Sequence, residues 1–435
     1  MTRGARIAVI GGGIGGLCAA WLLGRRHRVT LFERQARPGF IASSVTLAHG
    51  RGEVRVDVPL RVFYRGYYPT LVGLYRALGV ATEPVSYAGS FMHPDGSVYF
   101  RYRNLRIAGR SFAYMLPRDF AGGRAAGIVA AMLRFRREAP ADLSRGALGE
   151  ASIGEYAVAR GYGAGFIDGF LLPTIATVCT CPLAAARDFP AAVIVDYLAR
   201  GLTRDGVRRA CLGADDVARR LVAGIAEVRC NAAVAAVRRV ADGVEVRAAD
   251  GGRERFDHVV LASQANQSRA LLADASAAES EFLAAFRYVP VEVVMHEDAR
   301  LMPPDRRDWS PVNLLVDPAH EQPMSTIWIN AVQPALRHAR PLFQTVHPVR
   351  APRAGTLIGQ ARFERPVVDA ASAAAVRSLP GLHAETGRRV WFCGSYAQAG
   401  IPLLESAVGA AHAAVRALEA CLARADTPGS ATRPA

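Results

Sequence analysis

The chain has 435 residues, 51% of them hydrophobic and 21% charged, an ordinary balance for a folded enzyme large enough for two buried cores. All 53 basic residues are arginine and the formal net charge is +15, which excludes a lysine Schiff base, a lysine general base and a lysine-held water. The arginines are dispersed rather than interleaved with aromatics, which argues against nucleic-acid binding and leaves anionic partners or peripheral contact with a membrane surface open.

Arg3 and Arg6 precede an apolar stretch, as in a secretory signal, but Gly11, Gly12, Gly13, Gly15 and Gly16 break it and no small-residue cleavage site follows. The stretch therefore reads as part of the fold, no run reaches the about 18 apolar residues of a membrane span, and a cytoplasmic location is expected. Arg6–Ile10 is a short apolar run rich in β-branched residues, as in a buried parallel strand. It enters Gly11-Gly-Gly13-Ile14-Gly15-Gly16, which satisfies G-x-G-x-x-G, and a helix follows with Leu17, Ala20, Trp21 and Gly24 on one face. A second strand, Arg28–Phe32, ends in Glu33, 22 positions after Gly11.

This order of strand, glycine turn, helix, strand and acid is what a dinucleotide site requires. Gly11 permits the tight turn, Gly13 lets the backbone approach a pyrophosphate, and Gly16 lets helix and sheet pack closely. Ile14 and Gly15 open the helix, whose free N–H groups and positive dipole end suit phosphates. Glu33 is placed to accept hydrogen bonds from ribose hydroxyls, and its charge repels a 2′-phosphate. The dinucleotide is accordingly NAD or FAD rather than NADP.

Beyond this point the chain reads Glu33-Arg34-Gln-Ala-Arg37-Pro-Gly39-Phe40, which resembles the E-x-x-x-R-x-G-G segment of the flavin monoamine oxidase and phytoene desaturase superfamily. The resemblance implies that Arg37 lies near the FAD pyrophosphate, with Arg34 beside Glu33 on the same loop; Phe40 replaces the second glycine. Asn231 to Val237, Val244–Val246 and Phe256–Ala262 read as a β-meander and a returning strand, and the resemblance implies that the Val234 backbone contacts the adenine. Arg389 to Ser395 resembles the family's F-A-G-D/E strand end, with Ser395 after Gly394 in place of the acid. An alanine-rich helix then runs through about Ala420, and its N-terminus at Leu404, Glu405 and Ser406 is implied to face the flavin pyrimidine. Over its length the chain is most similar to predicted bacterial NAD/FAD-binding proteins related to amine oxidases. Fragments such as Val56–Phe63, Phe170–Pro173, Phe189–Ala191 and Arg365–Val367 carry that likeness, with Pro59 where the relatives usually have glycine.

The implied fold class is α/β: a Rossmann-like, glutathione reductase-like FAD-binding domain with a discontinuous mixed α+β substrate domain and a helical cap. FAD-binding parts are expected at 1–75, 205–285 and 385–422, substrate and cap parts at 76–204 and 286–384, and a disordered tail at 423–435. Ala125–Arg137, Ser152–Arg160 and Ala184–Leu202 read as amphipathic helices. Val291–His296, Val312–Val316, Thr326–Asn330 and Thr356–Phe363 read as strands.

The implied activity is that of an oxidoreductase with non-covalent FAD, dehydrogenating, desaturating or isomerising a small, largely apolar substrate by hydride transfer to flavin N5. The alternatives are an amine oxidase releasing hydrogen peroxide, disfavoured by the missing lysine, and a non-catalytic flavin-binding module. Phe166, Phe170, Leu171, Leu172, Trp328 and Ile329 are candidate pocket walls, each more readily core when taken singly. Tyr64, Tyr67 and Tyr68 are expected near the flavin edge. Trp391 and Tyr396 flank the strand end, outside the family's usual aromatic-cage sequence. His296, His347 and His412 have no partners at a telling spacing, the seven cysteines read as small buried thiols, and neither a catalytic base nor a metal site is identified.

Overall fold

The computed structural model describes residues 4–40, 43–49, 52–107, 110–120, 122–200 and 206–426. Ile7, Ala8 and Val9 have no exposed surface, because Arg6–Ile10 lies at the centre of a five-stranded parallel sheet covered on both faces. The strand order across it is Glu227–Arg229, Arg28–Phe32, Arg6–Ile10, His258–Leu261, Val390–Phe392. The helix Ile14–Leu23 is buried nearly all round, wedged between this sheet and the long helix Leu404–Asp426. A three-stranded meander, Val234–Val240, Gly243–Ala248 and Arg253–Phe256, closes one side, with the Phe256 ring edge-on to Phe32 at 5.9 Å.

The second region is built on a seven-stranded mixed sheet. Its order is Leu357–Pro366, Tyr288–His296, Phe343–Val346, Met324–Trp328, Val312–Leu315, Gly89–Met92, Val98–Arg101. The hairpin Ser43–His49 and Gly52–Val58 lies against it, and Val56 and Val58 share a core with Val291, Val293, Met295 and Ile329. A larger core runs without a break from the parallel sheet into the helices of the cap.

Several elements depart from the expected pattern. The segment expected as one helix from Ala184 is two, Leu183–Asp188 and Ala191–Ala199, because Pro190 lacks an N–H and forces Phe189 into extended backbone (ψ 136°). Asn330 belongs to the short helix Ile329–Val332 rather than to a strand; its side-chain amide caps the carbonyls of Leu336, Ala339 and Arg340. The last helix continues past Ala420 to Asp426, so 423–426 are helical, and the expected tail from 427 onward lies outside the described residues. The strands Gly89–Met92 and Val98–Arg101 have no counterpart in the sequence pattern.

Candidate functional site

Three chain segments meet around the glycine turn. Gly11 adopts a left-handed φ of 109°, and its N–H donates to the carbonyl of Phe32 at 2.9 Å, which ties the first strand to the end of the second. A Cβ on Gly16 would stand 1.9 Å from the Gly11 carbonyl oxygen, so no side chain fits there. One on Gly15 would meet the Ala407 carbonyl at 3.2 Å and the Cys393 sulfur at 3.4 Å, which shows how closely the helix abuts both C-terminal segments. At Gly13 a Cβ would meet nothing within 4 Å: the backbone there faces open space, as a pyrophosphate-binding turn requires. The first helical bond runs from Leu17 to Gly13, leaving the amides of Ile14, Gly15 and Gly16 for an outside acceptor.

Glu33 sits at the mouth of this turn, half-buried. Its carboxylate accepts from the Gly12 amide at 2.7 Å and the Gln35 amide at 2.8 Å. The loop beyond is held by the Gly39 amide, which donates to the Gly12 carbonyl at 2.9 Å, while the Arg34 and Arg37 side chains remain exposed. Glu33 N–H donates to Arg229 C=O, and Asn231 and Ala232 donate to Gln35 and Glu33, so a continuous backbone zipper brings Val234 beside the acid.

From the other end of the chain, Gly394 (φ 149°) ends the strand Val390–Phe392, with Ser395 half-buried next to it. In the following helix the first bond is donated by Ala407 to Leu403, leaving the amides of Leu404, Glu405 and Ser406 free of helical partners. The Glu405 carboxylate is already committed: it accepts from the Thr70 and Leu71 amides at 2.9 Å each, capping the helix Pro69–Ala77. The Ser406 hydroxyl donates to the Ile401 carbonyl at 2.6 Å. What these two residues offer a ligand is therefore backbone.

The tyrosines form one cluster with Tyr197. Tyr64 donates to the Tyr197 carbonyl, and the Tyr67 hydroxyl accepts from the Ile401 amide at 2.9 Å. Tyr68 lies beside Arg365 and Glu405, and burial holds its phenol well above the usual range, in the protonated form. Arg61 donates to the Phe40 carbonyl at 2.8 Å, yet its Nε is buried without a partner; the Nε of Arg365 is likewise buried and unpaired. Burial, and for Arg61 the repulsion of Arg365, pushes both guanidiniums down, Arg61 to about 10. Sequence reasoning missed this pair, because two arginines 304 positions apart (365 − 61) carry no local signal among 53.

The six expected wall residues do not come together. Phe166 and Phe170 stack on each other and Phe170 meets Phe91 and Phe100, whereas Ile329 lies in the hairpin core and Trp328 packs on Trp309. A small apolar cleft of about 10 Å³, room for about one water, occurs where the cap meets the C-terminal segment, lined by Ile175, Val178, Cys179, Ile194, Tyr197 and Ile401. Trp391 is fully buried against His258 and His383, and Tyr396 packs on Phe282 and Phe286, so the two form no aromatic cage. His296 is buried between the Thr345 hydroxyl (2.7 Å) and the Asp298 amide (3.1 Å), a neutral structural imidazole held at about 4 by burial.

A family model described as NAD(P)-binding Rossmann-like domain matches residues 9–78. No curated protein matches the sequence. Among solved structures, a CLA-producing fatty acid isomerase from P. acnes superposes with a TM-score of 0.65 at 15% identity, covering 94% of this chain and 98% of that one. Putrescine oxidase bound to putrescine gives 0.63 at 14% identity, covering 96% and 99%. Cyclohexylamine oxidase from Brevibacterium oxydans gives 0.64 at 14% identity, covering 97% and 100%. The chain thus shares the overall fold of these structures, with a Rossmann-like domain over residues 9–78.

Proposed function

We propose that the chain is an FAD-dependent oxidoreductase that holds FAD without a covalent bond and oxidises, desaturates or isomerises a small, largely apolar substrate with an anionic end. The observation that carries the cofactor assignment is the convergence of two helix N-termini on one glycine turn, each with three uncommitted amides, beside the Glu33 carboxylate. Gly11, Gly13, Ile14, Gly15 and Gly16 hold the pyrophosphate, Glu33 the adenosine ribose, and Val234 the adenine, with Arg34 and Arg37 on the outer side. Gly394, Ser395 and the amides of Leu404, Glu405 and Ser406 hold the flavin end. An NAD-only site would leave this second helix N-terminus without a role. Bound FAD supplies a two-electron acceptor for hydride.

The substrate side is set by this chain's own side chains. The apolar cleft and the tyrosine cluster keep water out. Arg61 and Arg365 form no salt bridge among the described residues, although the Asp57 carboxylate lies near Arg61, so an anionic group seated between them relieves both unpaired Nε atoms. Tyr68 adds a protonated hydroxyl beside Arg365. A fatty acid isomerase and two amine oxidases share the fold; buried cations suit the acid rather than the amine, as does the missing lysine.

Purified protein with absorption bands near about 375 and 450 nm that denaturation releases supports the cofactor reading; a colourless protein that takes up no added FAD overturns it. Anaerobic mixing with long-chain carboxylic acids then separates the chemistries. Bleaching indicates dehydrogenation, turnover without net bleaching indicates isomerisation, and peroxide released only on amines overturns the acid assignment.

A further inference from the structure

The seven-stranded sheet ends at Val98–Arg101, and the chain then leaves the body of the protein as a two-stranded ribbon, Arg103–Ile107 and Arg110–Tyr114, that no other strand pairs among the described residues. Its register places Arg103 opposite Tyr114, Leu105 opposite Phe112 and Ile107 opposite Arg110. Alternate pairs share a face, so one face carries Leu105, Ile107, Phe112 and Tyr114 between Arg103 and Arg110. The other carries Asn104, Arg106, Ser111 and Ala113. That apolar face is uncovered: Leu105 is 50% exposed, Ile107 56%, Phe112 49% and Tyr114 41%. With Leu116 and Phe120 just beyond the ribbon, six of the ten exposed large apolar side chains among the described residues lie between 105 and 120. Such crowding marks an interaction surface rather than scattered surface residues.

The charge around it has one sign. An open cavity of about 410 Å³ at the foot of the ribbon is lined by His93, Arg101, Arg118 and Arg124, with Asp119 and Asp308 as its acids. Both acids are committed, Asp119 to Arg101 (3.1 Å) and Arg103, Asp308 to Arg101 (2.9 Å). Among the described residues Arg106, Arg110, Arg118 and Arg124 are exposed and have no carboxylate partner. Arg106, on the other face of the ribbon, stands near Arg208.

We propose that this ribbon and the cavity at its foot dock the protein on an anionic lipid surface. Leu105, Ile107 and Phe112 enter the acyl boundary, Tyr114 sits at headgroup level, and the arginines reach phosphates around them. Arg110, Arg118 and Arg124, with no carboxylate partner, add electrostatic attraction to the three apolar side chains, a combination that suits reversible binding. A second copy of the chain is the poorer occupant, because apposing two identical ribbons brings these arginines together without counter-charge. The proposal is independent of the cofactor.

The test is co-sedimentation of the full chain with phosphatidylcholine vesicles, with and without phosphatidylglycerol, at low and high salt. The expected result is binding to the phosphatidylglycerol vesicles that salt weakens. Leu105→Ser with Phe112→Ser should lower it about tenfold or more, and Arg110→Gln with Arg118→Gln should lower it on the anionic vesicles while the thermal melt stays that of the parent. No binding to anionic vesicles, or equal binding by both variants, overturns the proposal. So does a concentration-dependent dimer, seen by light scattering, that the Leu105/Phe112 variant abolishes, since the face would then belong to a second copy.

Discussion

In the function proposed here, the cofactor corner and the substrate side recognise their ligands by opposite means. Around Gly11 to Gly16, Gly394 and the start of the last helix, nearly everything presented to a ligand is backbone, and the side chains there are small or already committed, Glu405 to the Thr70 and Leu71 amides and Ser406 to Ile401. On the proposed substrate side Arg61 and Tyr68, seven positions apart, and the distant Arg365 present charge and hydroxyl from two stretches of chain. A backbone site tolerates no added volume and little movement. A side-chain site can change specificity one residue at a time without disturbing the frame.

That contrast can be broken at either end. The largest effect is expected for Gly16→Val, whose side chain collides with the Gly11 carbonyl: loss of more than about 3 kcal/mol of stability, or of flavin altogether. A yellow, normally melting variant would show that the turn is looser than its geometry. Acid should come next and strike both regions. His258 and His296 are held at about 4 by burial, and His383, whose Nε2 accepts from the Phe392 amide, at about 3. Their folded-state values lie below the ordinary 6.5, so the unfolded chain binds more protons between pH 6.5 and about 4. Stability is therefore full above 6.5 and falls as pH drops through that window, by on the order of 3 kcal/mol for each imidazole at most. A melting temperature that stays flat from pH 7 to about 4 would contradict the burial of these rings.

Arg365→Met sharpens the substrate side. It should raise KM for a carboxylate substrate about thirtyfold, equivalent to about 2 kcal/mol, with flavin content unchanged. A fall in flavin content with KM intact would move Arg365 into the cofactor site. Glu33→Ala should weaken FAD by about 1.5–3 kcal/mol, measured as Kd by flavin fluorescence, and leave substrate selectivity alone. Smallest is Glu405→Ala, expected to remove about 1 kcal/mol by uncapping the helix Pro69–Ala77 while the flavin spectrum stays the same. A shifted spectrum would mean that the carboxylate, not the backbone, faces the ring.

The sequence by itself determined the nucleotide corner. Arg6 to Glu33 is one uninterrupted local pattern, and a glycine where only glycine fits is visible without a fold. The returning strand His258–Leu261 and the last strand and helix were legible for the same reason: apolar β-branched runs and alanine-rich stretches carry their structure locally. The seven-stranded sheet was half legible: Gly89–Met92, Val98–Arg101 and Phe343–Val346, four residues each, give no apolar run long enough to read, whereas Val312–Leu315 lies in one that continues to Val316. Chain order also could not say that Phe166 and Ile329 serve different cores, or that Arg61 and Arg365 lie near each other. Those facts depend on long-range pairing such as Val289 against Arg365, in which residues far apart in sequence meet only once the sheet has closed. A strand or a glycine turn is fixed by its immediate neighbours, whereas a pocket made of side chains exists only where separate elements converge, and that was decided by the tertiary structure.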